Sequence, residues 1–218
     1  MPASDISPGP WFRLVQASDT APLCLTPAEI AYFAPERDPV RRHLRTRVRS
    51  ALRGWLGERL GLPALDVPLQ TASTGRLELG PPYQDWSVSV STRRELGLIA
   101  VSEPGQGVVG VDIEWIDPSF DLSALGLPGL TSHERAALDA VPAPARLAAF
   151  FRLWTRKEAV AKALSLGVAA FDAGLDLSVL PLTESPRWQT LRALGHSCRV
   201  RNLPVAPDYV AALAIVRA

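Results

Sequence analysis

Lysine is almost missing from this chain. Of 23 strongly basic residues only Lys157 and Lys162 are lysine, and the other 21 are arginine. Cysteine is as scarce: Cys24 and Cys198, far apart in sequence, give neither a disulfide framework nor a zinc cluster, which favours a reducing compartment. Excess charge is missing too. With 23 Lys plus Arg against 22 Asp plus Glu the net charge is +1, so nothing draws the whole chain to nucleic acid or to an anionic membrane, and any basic site is local. No stretch approaches the roughly 20 apolar residues of a membrane span. "MPASDISPGPW" has neither the basic start nor the apolar run of a secretion signal, so a cytoplasmic protein is expected. What the chain does have is 218 residues, 47% of them hydrophobic, room for one large or two small domains around a substantial core.

"PVRRHLRTRVRSALRGWLGERLGL", residues 39–62, opens on proline and closes near Gly61, which predicts a helix. Leu44, Val48, Leu52, Trp55 and Leu56 recur at helical spacing as a buried stripe. Arg42, Arg45, Arg49 and Arg53 form a second row. Four guanidinium groups in a row repel unless water or an anion lies nearby, so the row reads either as a solvated face or as a phosphate-binding surface. Short strands are predicted at 86–91 and 96–102. "EPGQG", 103–107, then breaks the chain, and the boundary between halves 1–105 and 106–218 is placed there. A strand is expected at 108–116, and Thr131 with Glu134 gives a capping pattern for a helix at 131–138. A longer helix is expected from about Arg146 to Leu166, stopped by Gly167. "LDLSVL", "SCRVRNL" and "YVAALAIVRA" read as later strands. Each half is helix plus antiparallel strands, an α+β pattern, with a similar order of elements and no residue repeat.

In "GVDIEWI", strand alternation sends Val111, Ile113 and Trp115 to one face and Asp112 and Glu114 to the other. Two neighbouring carboxylates repel. Either water bathes that face, or a divalent cation such as Mg²⁺ uses the pair as hard oxygen ligands. In "FRLWTRKEAVAKAL", Glu158 and Lys162 are four apart and share a helix face, while Lys157 points about 100° away. Such a Glu-to-Lys pair on a surface contributes only about 0.2–0.5 kcal/mol. Phe150, Phe151, Leu153 and Trp154 nevertheless place these charges beside buried surface, where lysine offers a compact point charge and arginine a rigid fork. His133 and His196 need no catalytic role.

Taken together, "VGVDIEWI" and, about 35 residues later, "FFRLWTRKEAVAKALSLGV" resemble the paired signature of the 4'-phosphopantetheinyl transferases, in the larger two-lobed class named for the surfactin-synthesis enzyme. The pattern Gly-x-Asp-x-Glu, then Trp-x-x-Lys-Glu-Ala/Ser-x-x-Lys, is met by Gly110, Asp112 and Glu114 and by Trp154, Lys157, Glu158, Ala159 and Lys162. Weaker likeness extends to the arginine-rich helix, "TGRLEL", "WSVSVS" and "LTSHERAAL". The resemblance implies two similar lobes, a pseudo-dimer in which each lobe packs a helix on a small, mainly antiparallel sheet. The active site would lie between the lobes of one chain, so a monomer is expected.

The reaction implied is transfer of the phosphopantetheine arm of coenzyme A, the co-substrate, to a serine of an acyl or peptidyl carrier protein, releasing 3',5'-ADP. By resemblance Asp112, Glu114 and Glu158 would hold Mg²⁺ on the pyrophosphate. Glu158 would also take the serine proton, Lys162 would contact phosphate oxygens, and Lys157 would lie at the coenzyme. Arg76 and Ser89 carry over as coenzyme contacts, and Arg42 or Arg45 would meet the nucleotide phosphates. Phosphoryl transfer is mostly positioning and charge neutralisation, and these residue types suit it.

Two departures stand out. The family's Ser-His-Ser is Ser89, Val90 and Ser91 here, removing an imidazole expected at the coenzyme 3'-phosphate, and its Gly-Lys-Pro is Gly75, Arg76 and Leu77. A competing class is therefore a non-catalytic coenzyme A or carrier-protein binding relative, against which the retained Asp112, Glu114, Glu158 and Lys162 argue. A nucleic-acid binder using the Arg42 to Arg53 row is disfavoured by the near-zero net charge, and no membrane partner is expected. Fatty-acid, polyketide, nonribosomal-peptide and siderophore carriers suit the pattern equally.

Overall fold

In a computed structural model the chain is described over residues 9–72, 74–122, 129–167 and 169–217. The first part runs β1 (Trp11–Gln16), α1 (Pro27–Phe33), α2 (Pro39–Leu60), β2 (Leu69–Thr71), β3 (Leu77–Leu79), β4 (Ser87–Arg93) and β5 (Leu96–Ser102). It continues with β6 (Val108–Trp115), α3 (Ser132–Asp139), α4 (Ala143–Ala163), α5 (Ala169–Asp172), β7 (Gln189–Ala193), β8 (His196–Asn202) and β9 (Tyr209–Arg217). Most of the stretch behind the reading of a leaderless N-terminus, residues 1–8, lies outside the described residues.

The α2 helix starts where the Asp38 carboxylate accepts the N–H groups of Val40 and Arg41, and it stops where Gly61 takes a left-handed φ of 68°. Proline in its first turn forfeits no hydrogen bond, because those N–H groups have no intrahelical acceptor. Leu44, Val48, Leu52 and Leu56 are buried against Val15, Val88, Ile99 and Val101 on one face of an antiparallel sheet ordered β1-β5-β4. The β2–β3 hairpin closes the end of this core with Leu69, Leu77 and Leu79.

A second antiparallel sheet, ordered β6-β9-β8-β7, buries one face under α4. The two sheets meet through Leu98 and Ala100 of β5 against Val109, Val111, Ile113, Leu213 and Ile215. The described residues thus form a mixed helix and antiparallel-sheet fold, with a long helix on the outer face of each sheet. The expected alternation of β6 is realised. Val111 and Ile113 lie between the sheets, and Asp112 and Glu114 face α4.

Alternate serines of β4 set the β6 register. The Ser87 and Ser89 hydroxyls accept the N–H groups of Val109 and Val111 at 3.1 Å each. Ser91 donates to Asp112 Oδ1 at 2.8 Å. Glycine sets the distance to the helix. A Cβ on Gly110 would overlap the Ala159 carbonyl and lie 2.5 Å from the Ala163 nitrogen, so the α4 backbone rests directly on the strand.

Three expectations need revision. The α4 helix begins three residues early, because Pro142 and Pro144 sit where N–H groups are not required, and it ends at Ala163. Ser165, in the left-handed region with φ 60°, then turns the chain ahead of Gly167. "LDLSVL" is not a strand. Its backbone is held by side chains instead: the Leu177 N–H donates to Glu134 Oε1, the Leu175 carbonyl accepts from Lys157 Nζ, and Asp176 accepts the N–H of Ser178.

Gly110→Ala should cost about 3 kcal/mol or more through overpacking against backbone that cannot rotate away. Urea unfolding of the variant checks this, and an unchanged midpoint would show that α4 lifts off β6 freely.

Candidate active site

The α4–β6 contact brings the two sequence motifs together. Asp112 is 5% exposed, and its Oδ1 accepts from Lys162 Nζ at 2.7 Å as well as from Ser91. Lys162 Nζ also donates to the Val111 carbonyl at 3.0 Å. Asp112 Oδ2 is buried with no hydrogen-bond partner. Glu114, two residues along β6, has Arg93 Nε 2.8 Å from its Oε2, although the contact misses hydrogen-bond geometry and that oxygen counts as unpartnered. Burial, and after it the Asp112 charge, push the Glu114 carboxyl up to about 7. Burial and then Asp112 raise Glu158 as well. A carboxylate in such surroundings is a stronger base than an ordinary glutamate.

Among the described residues no three His, Cys, Asp or Glu side chains form a ready-made metal cage. The donor set nevertheless fits a hard cation that takes part of its shell from a phosphorylated substrate. Asp112 offers an orphaned buried oxygen, and its charge raises the proton affinity of both Glu114 and Glu158.

Clefts open on both sides of this cluster. One of about 490 Å³ is lined by Arg76, Ser89, Val90, Lys162 and Ser165. It adjoins another of about 290 Å³, lined by Tyr32, Arg41, Arg45, Arg49 and again Val90 and Lys162. The Arg76 guanidinium donates to the Lys162 carbonyl at the C-terminal end of α4 and to Ser87, and burial lowers its pKa. Val90, standing where the family pattern has an imidazole, forms an apolar wall of both clefts. A third hollow of about 450 Å³, bounded by Thr131, Trp154, Phe171 and Asp172, reaches Glu158 from nearer the start of α4.

The arginine row of α2 divides. Arg49 and Arg53 are buried and share Glu29, at 2.8 and 2.6 Å, and Arg53 also donates to the carbonyls of Ala64 and Val67. Glu29 is lowered despite its burial, because the two guanidinium groups outweigh the desolvation. Arg45 reaches the cleft beside Lys162, stacked over Phe33 and paired with Glu36. Arg42 does not. It is exposed and lines a separate hollow of about 640 Å³ with Leu23, Ile30 and His43, apart from the carboxylates. The α2 side chain that accompanies Arg45 is Arg41, four residues earlier on the same face, a spacing that could have identified it.

Lys157 lines neither of the arginine clefts. It is 0% exposed, held by Glu134 Oε2 at 2.5 Å and the Leu175 carbonyl at 2.6 Å. The 100° turn per residue that brings Glu158 to the cluster sends Lys157 into the core. Ser91 and Arg93 are the contacts that sequence reasoning missed. The alternation of serine in "WSVSVS" was the available signal for Ser91.

Similarity to known proteins agrees with this geometry. Residues 108–214 match the family described as the 4'-phosphopantetheinyl transferase superfamily. The chain is 31% identical over 175 residues to the 4'-phosphopantetheinyl transferase HetI of Nostoc sp., covering 77% of this chain and 73% of that protein. The chain belongs to the 4'-phosphopantetheinyl transferase superfamily. It is also 41% identical over 111 residues to the 4'-phosphopantetheinyl transferase AcpT of Escherichia coli K12, half of this chain and 55% of that protein. As a member of that superfamily the enzyme transfers phosphopantetheine to carrier proteins, with coenzyme A as the donor. No described helix of the transferase is long and apolar enough to cross a membrane.

The Glu114 shift sets a pH dependence for the metal-free transferase. A carboxyl raised from 4.5 to about 7 favours folding fully below 4.5, and the advantage is lost as pH rises through 7. Glu114→Gln should therefore raise stability at pH 8 by roughly 3 kcal/mol and change it little at pH 4.5. Urea melts at the two pH values check this, and a variant less stable than wild type at pH 8 would refute the electrostatics.

Proposed function

We propose that this enzyme uses Mg²⁺ to move the 4'-phosphopantetheine arm of coenzyme A onto a serine of an acyl or peptidyl carrier protein, releasing 3',5'-ADP. The observation that carries the reading is the cluster of Asp112, Glu158 and Lys162 between two arginine-lined clefts and the hollow beside Trp154. The coenzyme would enter from the arginine side and the carrier serine from the Glu158 side. Asp112, Glu114 and Glu158 are the residues that would hold the metal. When bound, Mg²⁺ neutralises charge on the pyrophosphate oxygens.

Glu158, made more basic by burial and by Asp112, accepts the proton of the serine hydroxyl as its oxygen bonds to phosphorus. The phosphorus–oxygen bond to the nucleotide phosphate breaks at the same centre, and Lys162 stands against the oxygens that gain charge. Lys162 already balances Asp112, so it is fixed in place before substrate arrives. Arg45 and Arg41, with Arg76 and Ser89 in the adjoining cleft, take the coenzyme phosphates and nucleotide. Arg42 and Lys157 have no such role.

The same reading places the enzyme in the larger two-lobed class, with lobes 1–105 and 106–218 as halves of a pseudo-dimer and the site between them. The two sheet-and-helix units and their contact through β4, β5 and β6 support it. A cytoplasmic monomer acting on polyketide or nonribosomal-peptide carriers accords with it.

Intact mass spectrometry should show one phosphopantetheine added to an apo carrier in the presence of coenzyme A and Mg²⁺, and no mass change on any of a broad carrier panel would overturn the reading. Glu158→Gln should slow transfer about a hundredfold or more while the urea midpoint holds. Lys162→Arg keeps the charge but replaces a point donor by a fork. It too should lose most of the rate, and full activity would show that cation shape is immaterial.

A further inference from the structure

Charge is unevenly spread along the chain. Residues 186–218 carry five arginines against one carboxylate, Asp208, while the preceding residues carry 18 basic against 21 acidic side chains. The strands β7, β8 and β9 account for four of the five arginines. One face of their sheet is covered by α4, which buries Leu191, Cys198, Val200 and Ala212. The other face is covered by the first sheet only over β6 and β9. Over β7 and the start of β8 it is exposed, and farther along β8 Trp188 and Phe12 lie against the side chains.

Alternation puts Arg199 and Arg201 on that face, opposite Ile215 and Leu213. Arg192 of β7 and Arg217 of β9, both exposed, flank Ser197 in one cross-strand row. The Arg199 and Arg201 guanidinium carbons lie 4.9 and 4.8 Å from the centre of the Trp188 ring, and Arg201 lies 5.7 Å from that of Phe12. Among the described residues none of the four arginines forms an ion pair. Arg201 Nε is buried without a hydrogen-bond partner, and burial together with Arg199 lowers its pKa. Guanidinium groups gathered at one ring repel each other, and an anion between them would relieve that repulsion. The arrangement is built for an anion.

Its spacing suits an acidic polypeptide. Same-face residues on a strand repeat every 7 Å or so, the interval at which an extended acidic segment presents alternate carboxylates. Trp188 is half-buried and already engaged by two guanidinium groups, which disfavours it as a platform for a nucleic-acid base. The enzyme's macromolecular substrate is a protein.

We propose that this arginine face docks an acidic, extended segment of the polypeptide that bears the acceptor serine, outside the loop that presents the serine. The face lies across the sheet from α4 and Glu158, so it is a second attachment point that raises the local concentration of the acceptor without taking part in transfer. The identity of the docked chain rests on the transfer reading above, whereas the binding chemistry does not.

Two measurements test the proposal separately. Fluorescence anisotropy should show a short labelled polyglutamate peptide binding the enzyme, more weakly as salt rises, with affinity reduced about tenfold or more by Arg199→Glu/Arg201→Glu. The exposed pair Arg192→Glu/Arg217→Glu should act in the same direction and keeps the test open if the first variant does not fold. In the transfer assay a polyglutamate tail on the carrier should lower KM and leave kcat unchanged, and the arginine variants should erase that difference while modifying the untailed carrier at the wild-type rate. No peptide binding, equal binding by the variants, or tighter binding of an oligonucleotide or of phosphatidylserine vesicles overturns the proposal. A tail without effect on KM, with the untailed carrier still modified, overturns it and leaves the transfer reading standing. Peptide binding with no carrier modified overturns the transfer reading and the docked chain's identity while retaining the acidic site.

Discussion

Gly110 lets the α4 backbone lie on β6 without an intervening side chain, and the spatial relation of both charged motifs follows from that contact. Asp112 and Glu114 are fixed to the strand, and Glu158 and Lys162 to the helix. Any Cβ at 110 would push the helix away by the depth of a methyl group. The Lys162 to Asp112 contact, 2.7 Å with one partner 7% exposed, would open before the fold itself failed. Chemistry of this kind tolerates little displacement, because charge neutralisation by a point cation falls off with distance and with access to water.

The strand needs a second fixed neighbour, and β4 supplies it by side chain. Ser87 and Ser89 accept N–H groups of β6, so these backbone donors are satisfied where the two sheets meet. Ser91 continues the row but meets a carboxylate, and there the hydroxyl becomes a donor. One row of serines thus fixes register for two residues and orients a functional group at the third.

Much of this was legible because it is local. The stripe of Leu44, Val48, Leu52 and Leu56, the alternation around Asp112, and the helix carrying Glu158 and Lys162 depend on spacing alone. What failed to show depends on partners distant in sequence. Arg49 and Arg53 look like surface cations until α1 delivers Glu29 to them, 20 and 24 residues away. "LDLSVL" alternates like a strand, yet its backbone groups bond to Glu134 and Lys157. Arg42 and Arg41 are adjacent, and the spacing that puts Arg41 on the face of Arg45 selects it only once Arg45 is known to reach the cleft.

Lys157 and Lys162 show how one helix separates stability from chemistry. Lys157 neutralises Glu134 in a fully buried site, and Glu134 in turn caps α3 through the N–H of Thr131 and holds the N–H of Leu177. Removing either partner would strand a buried charge, typically a loss of about 3–5 kcal/mol. Lys162, five residues on, retains 30% side-chain exposure and so stays accessible to a ligand while anchored to Asp112. A single slender cation suits both places for different reasons. In the core it fits between one carboxylate and one carbonyl, where a guanidinium would leave donors unpaired. At the cleft it bonds two acceptors of the strand, and its third donor is left to offer. Arginine serves this chain wherever the charge can spread over a ring, a sheet face or several carbonyls, and lysine occupies the two positions where it must be a point.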